Sequence, residues 1–249
     1  DITFEINCTN QWSNILGKTP LRPAEYQYYT PNIDSNFCTD EELTITTEEL
    51  KNNYISSGSN AHVFSLPKFK NDQYVLRLSD KYQQKEYSGN LLQGMVAREC
   101  KNVNPILQMG IYEANQDIHL VVQIGNKKRL TTIKKGVFSI LKKGKQFHEY
   151  QNHLSTTLSN QQIPLLKHVR AWSIVSQLMK AMKCIHDRGF IHNDLKAHNV
   201  VFDDDFKNIQ IIDFGESQRI GEKWIPSGTT GFISNYVILK YAKQYAKKY

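Results

Sequence analysis

The stretch from Gly189 to Ser217, GFIHNDLKAHNVVFDDDFKNIQIIDFGES, constrains the chain more than any other. Two acids, Asp194 and Asp213, stand 19 positions apart, each at the edge of a short apolar run. His192-Asn193-Asp194-Leu195-Lys196, with Asn199, leads into Val200-Val201-Phe202. Ile209 to Ile212 then delivers Asp213-Phe214-Gly215. Asp203-Asp204-Asp205 lies between the runs and reads as a turn, because Asp tolerates tight backbone geometry. Two β-like runs joined by such a turn make a hairpin with polar groups at its ends. Those groups form a chemical set: an acid to orient a hydroxyl, a cation nearby, and hard oxygens suited to Mg²⁺.

Asp194, Lys196 and Asn199 fall at positions 0, +2 and +5, and Asp213-Phe214-Gly215 follows the hairpin. This arrangement resembles the catalytic loop and DFG metal loop of the protein kinases. The resemblance implies that Asp194 orients the acceptor hydroxyl, Lys196 neutralises the γ-phosphate, and Asn199 and Asp213 hold Mg²⁺, with ATP as donor. It runs over about residues 54 to 236. The fold it implies is α+β and two-lobed, with a small β-rich N-lobe and a reduced, mainly α C-lobe. Residues 1–50 are then an N-terminal extension packed on the following lobe, 51–125 the N-lobe and 126–249 the C-lobe. Within the extension, Thr46-Thr47-Glu48-Glu49 reads as a helix start, a hydroxyl cap followed by acids.

Upstream, Asn53 to Leu66 is a small polar turn flanked by apolar residues, a hairpin pattern. It resembles the kinase glycine-rich loop, with Ser56, Gly58 and Ala61 at the three glycine positions and Val63 as the residue that packs on adenine. Small side chains let backbone N–H groups approach phosphates closely. Gln73 to Leu78 reads as the next strand, and Arg77 stands where the family places a phosphate-pairing lysine. Arginine keeps the charge but is longer and planar, so the exchange is not conservative. Lys81 to Cys100 has helical character, with Leu91, Leu92, Met95 and Val96 on one face. Glu86, with Glu99 as the alternative, is the expected partner of the strand cation. His119 to Ile124 resembles the strand that leads to the nucleotide hinge. Val122 then lines the adenine pocket, and Gln123, Ile124 and Gly125 offer backbone donors and acceptors.

Pro164 to His186 is the clearest helix: Trp172, Val175, Leu178, Met182 and Ile185 recur at three and four, the mark of one buried face. Asn193 replaces the arginine that in the family pairs with a phosphate on the activation loop, so activation by such phosphorylation loses its receiver. Constitutive competence, or control by a protein partner or anionic ligand, is the expectation. His192 is expected to pack beneath the DFG residue. Ser227 to Ile233 resembles the family's substrate-facing segment, with Thr229 bonded to Asp194 and Lys196. Ser234-Asn235-Tyr236 stands where A-P-E is expected, and Tyr236 to Tyr249 reads as a basic amphipathic helix. The short lower lobe resembles reduced kinases among secreted bacterial effectors.

A formal charge of +7 suits anionic ligands such as nucleotides, acidic membranes or acidic protein partners. A nucleic-acid partner is not expected, and membrane contact by the basic terminal segment is a secondary reading. The four cysteines, Cys8, Cys38, Cys100 and Cys184, show no metal-ligand spacing. Cys184 lies on an apolar helical pattern and is expected to be a buried free thiol. Cys8 and Cys38 could pair, but the kinase resemblance implies a reducing, cytoplasmic setting (host cytoplasm for a secreted effector). Three functions compete: a Ser/Thr protein kinase, favoured by Lys196; a pseudokinase that works by contact, favoured by Arg77; and a kinase-fold transferase acting on a small molecule or lipid.

Overall fold

Tyr54–Ser57 (β3), Ala61–Ser65 (β4) and Tyr74–Ser79 (β5) are short runs rich in aromatic and β-branched residues. Such residues pack well on a pleated surface, and these pair as successive antiparallel strands. A computed structural model of the chain describes residues 2–5, 42–58, 61–67, 72–80, 83–124, 127–157, 163–222, 227–229 and 231–232. It divides into two units, residues 1–98 with 105–143, and residues 99–104 with 144–249.

The first unit is built on a five-stranded antiparallel sheet in the order β3-β4-β5-β7-β6. Its last two strands, Ile106–Ile124 (β6) and Lys127–Lys142 (β7), form one long hairpin. Helix α2, Gln84–Ala97, packs Tyr87 and Leu91 with Ile106, Met109 and Val137 from the sheet. A second cluster joins Phe64, Leu76, Leu78 and Ile140 to Tyr112, Ile118, Leu120 and Val122 of the hairpin. Ile2 and Ile45 complete it, from an antiparallel pair Ile2–Glu5 (β1) and Glu42–Ile45 (β2). Leu50 also joins it, from the short helix Thr47–Asn52 (α1). Thr46 caps α1 as expected: its Oγ1 accepts from Glu49 N at 3.1 Å, and the Glu49 carboxylate accepts from Thr46 N at 2.9 Å. The described parts of residues 1–50 thus share the core of the first unit.

The hairpin corrects two expectations. His119 to Ile124 does not lead out of the first unit: its last residues, Val122, Gln123 and Ile124, pair with Arg129, Lys128 and Lys127 next to the hairpin tip. The neighbour of β5 is β7, with Tyr74 opposite Lys142 and Leu78 opposite Phe138. The division at 125/126 therefore cuts a hairpin, and the first unit continues to Lys143. Close approach fixes the hairpin root: a Cβ on Gly136 would stand 2.4 Å from the Ser79 carbonyl oxygen.

The second unit holds two helices, Phe147–Thr157 (α3) and Ile163–Asp187 (α4). Two short antiparallel pairs follow: Phe190–Ile191 (β8) with Gln218–Arg219 (β11), and Val200–Phe202 (β9) with Ile209–Ile211 (β10). Tyr150 of α3 stacks on Phe202 at 4.7 Å between ring centroids, and Leu154, Val200 and Ile209 share this cluster. The Asp203 carboxylate accepts from Lys207 N at 2.8 Å and Asn208 N at 3.1 Å, closing the β9–β10 turn. The buried stripe expected on α4 is shorter than its pattern: Ile185 is buried, but Trp172 is 73% and Val175 41% exposed. Cys184 is not a free thiol. It forms a disulfide with Cys100, 84 residues away, a pairing that no local spacing could signal.

Residues 6–41 lie outside the described residues, with Cys8, Cys38 and the tyrosine cluster, as do Gly125, Ser234-Asn235-Tyr236 and the basic segment 236–249. No helix among the described residues is long and apolar enough to cross a membrane.

Candidate active site

In the first unit, β5 carries Arg77 between Val63 of β4 and Ser139 of β7. Its Nη2 lies 2.7 Å from Glu86 Oε2, and its Nη1 donates to Asn90 Oδ1 at 3.3 Å. Glu86 and Asn90 are one helical turn apart on α2, so one planar guanidinium reaches both. Glu86 is buried, which makes this a desolvated pair rather than a surface contact. Glu99, the alternative partner, is taken by Arg188 in the second unit. In the β3–β4 hairpin, Ser56 pairs with Val63 and Gly58 N donates to the Ala61 carbonyl at 2.8 Å, closing the turn.

In the second unit a 3-10 turn, Ala197–Asn199, follows Asp194 and Lys196 and brings the three polar side chains together. Lys196 Nζ lies 2.7 Å from Asp194 Oδ2 and donates to Thr229 Oγ1 at 2.6 Å. Thr229 Oγ1 in turn donates to Asp194 Oδ1 at 2.7 Å. Asn199 Nδ2 donates to the Asp194 carbonyl at 2.8 Å and to Oδ2 at 3.2 Å. Burial pushes the Asp194 carboxyl up, but hydrogen bonds from Lys196 and Thr229, the Lys196 charge and Asn199 outweigh it. The net effect holds Asp194 below the ordinary carboxylate value, ionised at neutral pH.

Asp213 adopts a left-handed φ of +65°, a conformation that Asp tolerates better than most residues. The residue before it is held from two sides: Ile212 N donates to the Asn199 carbonyl at 3.0 Å, and His192 Nε2 lies 3.1 Å from the Ile212 carbonyl. His192 is fully buried, edge-on to Phe214 at 4.7 Å, and accepts at Nδ1 from Asp194 N at 3.3 Å. Burial lowers its pKa, against the Ile212 hydrogen bond and the nearby acids, so the ring is neutral at neutral pH. Asn193 also has a left-handed φ, +64°, and its Nδ2 donates to the Glu216 carbonyl at 3.2 Å.

The donor set fits Mg²⁺. Asn199 Nδ2 is turned to Asp194, which leaves its Oδ1 to serve as a ligand, and the Asp213 carboxylate is the second hard oxygen donor. Among the described residues no group of three or more His, Cys, Asp or Glu side chains could cage a metal. Two protein oxygens with phosphates completing the shell is the usual way Mg²⁺ is held.

Within the first unit, Val122, Gln123 and Ile124 stand apart from Arg77 along β6, at the far end from the residues whose partners on β7 pair with β5. The chain leaves the first unit after Lys143, just beyond the apolar run Val137 to Leu141.

Comparison with known proteins agrees with this geometry. The family model described as protein kinase domain matches residues 51–249. Serine/threonine-protein kinase 1 of African swine fever virus is 39% identical over 57 residues, 23% of this chain and 19% of the viral protein. Serine/threonine-protein kinase D of Synechocystis is 29% identical over 103 residues, 41% of this chain and 20% of that protein. The chain thus spans a fifth or less of the length of these relatives. With most of its length matched by one model, the chain belongs to the protein kinase domain family.

Proposed function

We propose that the protein transfers the γ-phosphoryl group of Mg·ATP to Ser or Thr hydroxyls of protein substrates. The observation that carries the reading is the closed set of contacts among Asp194, Lys196 and Thr229, with Asn199 fixing the aspartate from behind. Asp194, ionised and held by three neighbours, orients the acceptor hydroxyl and receives its proton. Such a positioned base contributes about 10²–10⁴-fold in rate. Lys196 brings positive charge to the transferring group. Asn199 and Asp213 hold Mg²⁺, which neutralises charge on the phosphates when bound. Arg77, fixed by Glu86 and Asn90, pairs with the α/β-phosphates. Gly58 and Ala61, small residues at the two ends of the turn, let the phosphates approach closely, and Val63 with Ile140 to Lys143 takes the base.

Control lies outside the activation segment in this reading. Asn193 offers no guanidinium to a phosphate and uses its amide on Glu216 instead. A protein partner or anionic ligand is the expected switch. The second reading, a pseudokinase, is favoured by Arg77, whose guanidinium is already engaged by two partners within its own unit.

Incubation with radiolabelled ATP and Mg²⁺, with a generic Ser/Thr protein substrate, separates the readings. Label on Ser or Thr that disappears in Asp213→Ala, and a rate unchanged by prior phosphatase treatment, are expected. Nucleotide binding without transfer favours the pseudokinase. Transfer only to a lipid or small molecule favours the third acceptor class, and a rate abolished by phosphatase contradicts the proposed mode of control.

A further inference from the structure

Four side chains at the base of the β3–β4 turn make a continuous run of contacts that the phosphoryl-transfer reading leaves unused. Tyr54 OH donates to Ser57 Oγ at 2.7 Å. Ser57 Oγ lies 2.5 Å from His62 Nδ1, and His62 Nε2 lies 2.6 Å from Asp80 Oδ1. The imidazole thus lies between the two, with Nδ1 toward Ser57 Oγ and Nε2 toward the Asp80 carboxylate. Ser57 and His62 are cross-strand partners, so the imidazole closes the strand ends next to Gly58 and Ala61. His62 is 2% exposed, too buried to be a solvated surface group.

The far end of the run is itself anchored. Ser79, next to Asp80, is buried; its carbonyl accepts from Tyr112 OH at 2.6 Å and its Oγ from Val137 N at 2.7 Å. The turn, through its described end at Ala61, which pairs with Ser79, is therefore tied to buried groups of the sheet. Its composition calls for such support. Of the three positions at which small, adaptable residues are expected, Ser56 and Ala61 carry side chains and only Gly58 does not. Backbone that cannot adapt around a phosphate must be set in place beforehand.

We propose that His62, with Ser57 and Asp80, is a positioning relay that pre-sets Gly58 and Ala61, beside the ends of β3 and β4, for a nucleotide polyphosphate. The proposal rests on the nucleotide reading above. It assigns His62 no contact with the nucleotide, so its signature is a change in affinity that a packing role does not produce.

The test uses the fluorescent nucleotide mant-ATP with Mg²⁺ on the whole protein, comparing wild type, His62→Ala, His62→Gln, Ser57→Ala and the Ser57→Ala/His62→Ala double variant. Deuterium uptake over residues 54–66 is measured without nucleotide. His62→Ala is expected to weaken binding about 3- to 10-fold, the scale of one hydrogen bond, and to raise uptake in that segment. His62→Gln, which retains a donor and an acceptor, recovers much of the loss, and the double variant binds no worse than His62→Ala. Should His62→Ala fail to fold, Ser57→Ala and Asp80→Asn carry the same comparison with the imidazole in place. Binding by the wild type that His62→Ala leaves within twofold, or losses that multiply fully in the double variant, overturns the relay alone. Failure of the wild type to bind mant-ATP overturns the nucleotide reading itself, and the relay with it.

Discussion

Arg77 shows how one substitution recasts a site without removing its charge. Its fork spans Glu86 and Asn90, and a lysine ammonium in its place reaches one of them at best. Arg77→Lys is therefore expected to weaken Mg·ATP binding several-fold in a mant-ATP titration; a tighter complex would mean that arginine handicaps the site. His192 makes a prediction about pH. Burial depresses its folded pKa below the ordinary 6.5, so the unfolded chain takes up the proton first. Its stabilising contribution is complete above about pH 6.5 and is lost as pH falls toward the depressed folded value. Urea denaturation at pH 7.5 and 5.5 should show this loss, and His192→Gln should reduce it; an unchanged slope would place the pH dependence elsewhere. Asp194 adds no pH dependence in that window, because its contacts hold the carboxyl below the ordinary carboxylate value and it stays ionised throughout. These contacts were legible residue by residue: the spacing of Asp194, Lys196 and Asn199 anticipated side chains that meet, and Glu86 was the expected partner of Arg77. The relay through His62 was not legible, since it depends on strand register and on Asp80 lying 18 positions along the chain.

At the scale of elements, the readings that failed share one cause: pairing between segments distant in sequence. His119 to Ile124 has the composition of a buried strand, and periodicity cannot tell which strand lies beside it. The alternation that would have extended the hairpin through Lys127 to Lys142 is masked by exposed lysines, Lys134 and Lys135, which pair with Asp117 and Glu113 across the ribbon. On α4 the pattern placed Trp172 with Ile185, yet only the C-terminal part of the stripe is buried among the described residues. The loop 99–104 is the clearest case. Asn102 Nδ2 donates to the Ile209 carbonyl at 2.9 Å, Asn104 N to Ile211 at 3.0 Å, and Cys100 is bonded to Cys184 on α4. A crosslink closing 84 residues restricts the unfolded chain, and 2–4 kcal/mol is about the usual gain. Reduction with dithiothreitol, or Cys184→Ser, is expected to lower unfolding free energy by about that amount in urea. A shift under about 0.5 kcal/mol would show that the loop's hydrogen bonds suffice without it.

For the molecule as a whole, the α+β kinase fold was legible because its most local part, the hairpin from Val200 to Ile211, is flanked on both sides by the most specific residues. The domain boundary was not, because the chain returns: residues 99–104 leave the first unit and 105–143 rejoin it. The proposed function rests on the second unit's polar cluster acting as a base and metal site together. The most direct test replaces Asp194 with asparagine, which keeps the shape and removes the charge. With saturating Mg·ATP and a Ser/Thr protein substrate, Asp194→Asn should lose at least about 100-fold in phosphoryl transfer while mant-ATP affinity stays within a few-fold of wild type. Transfer by Asp194→Asn at the wild-type rate would contradict the assignment of Asp194 as the base.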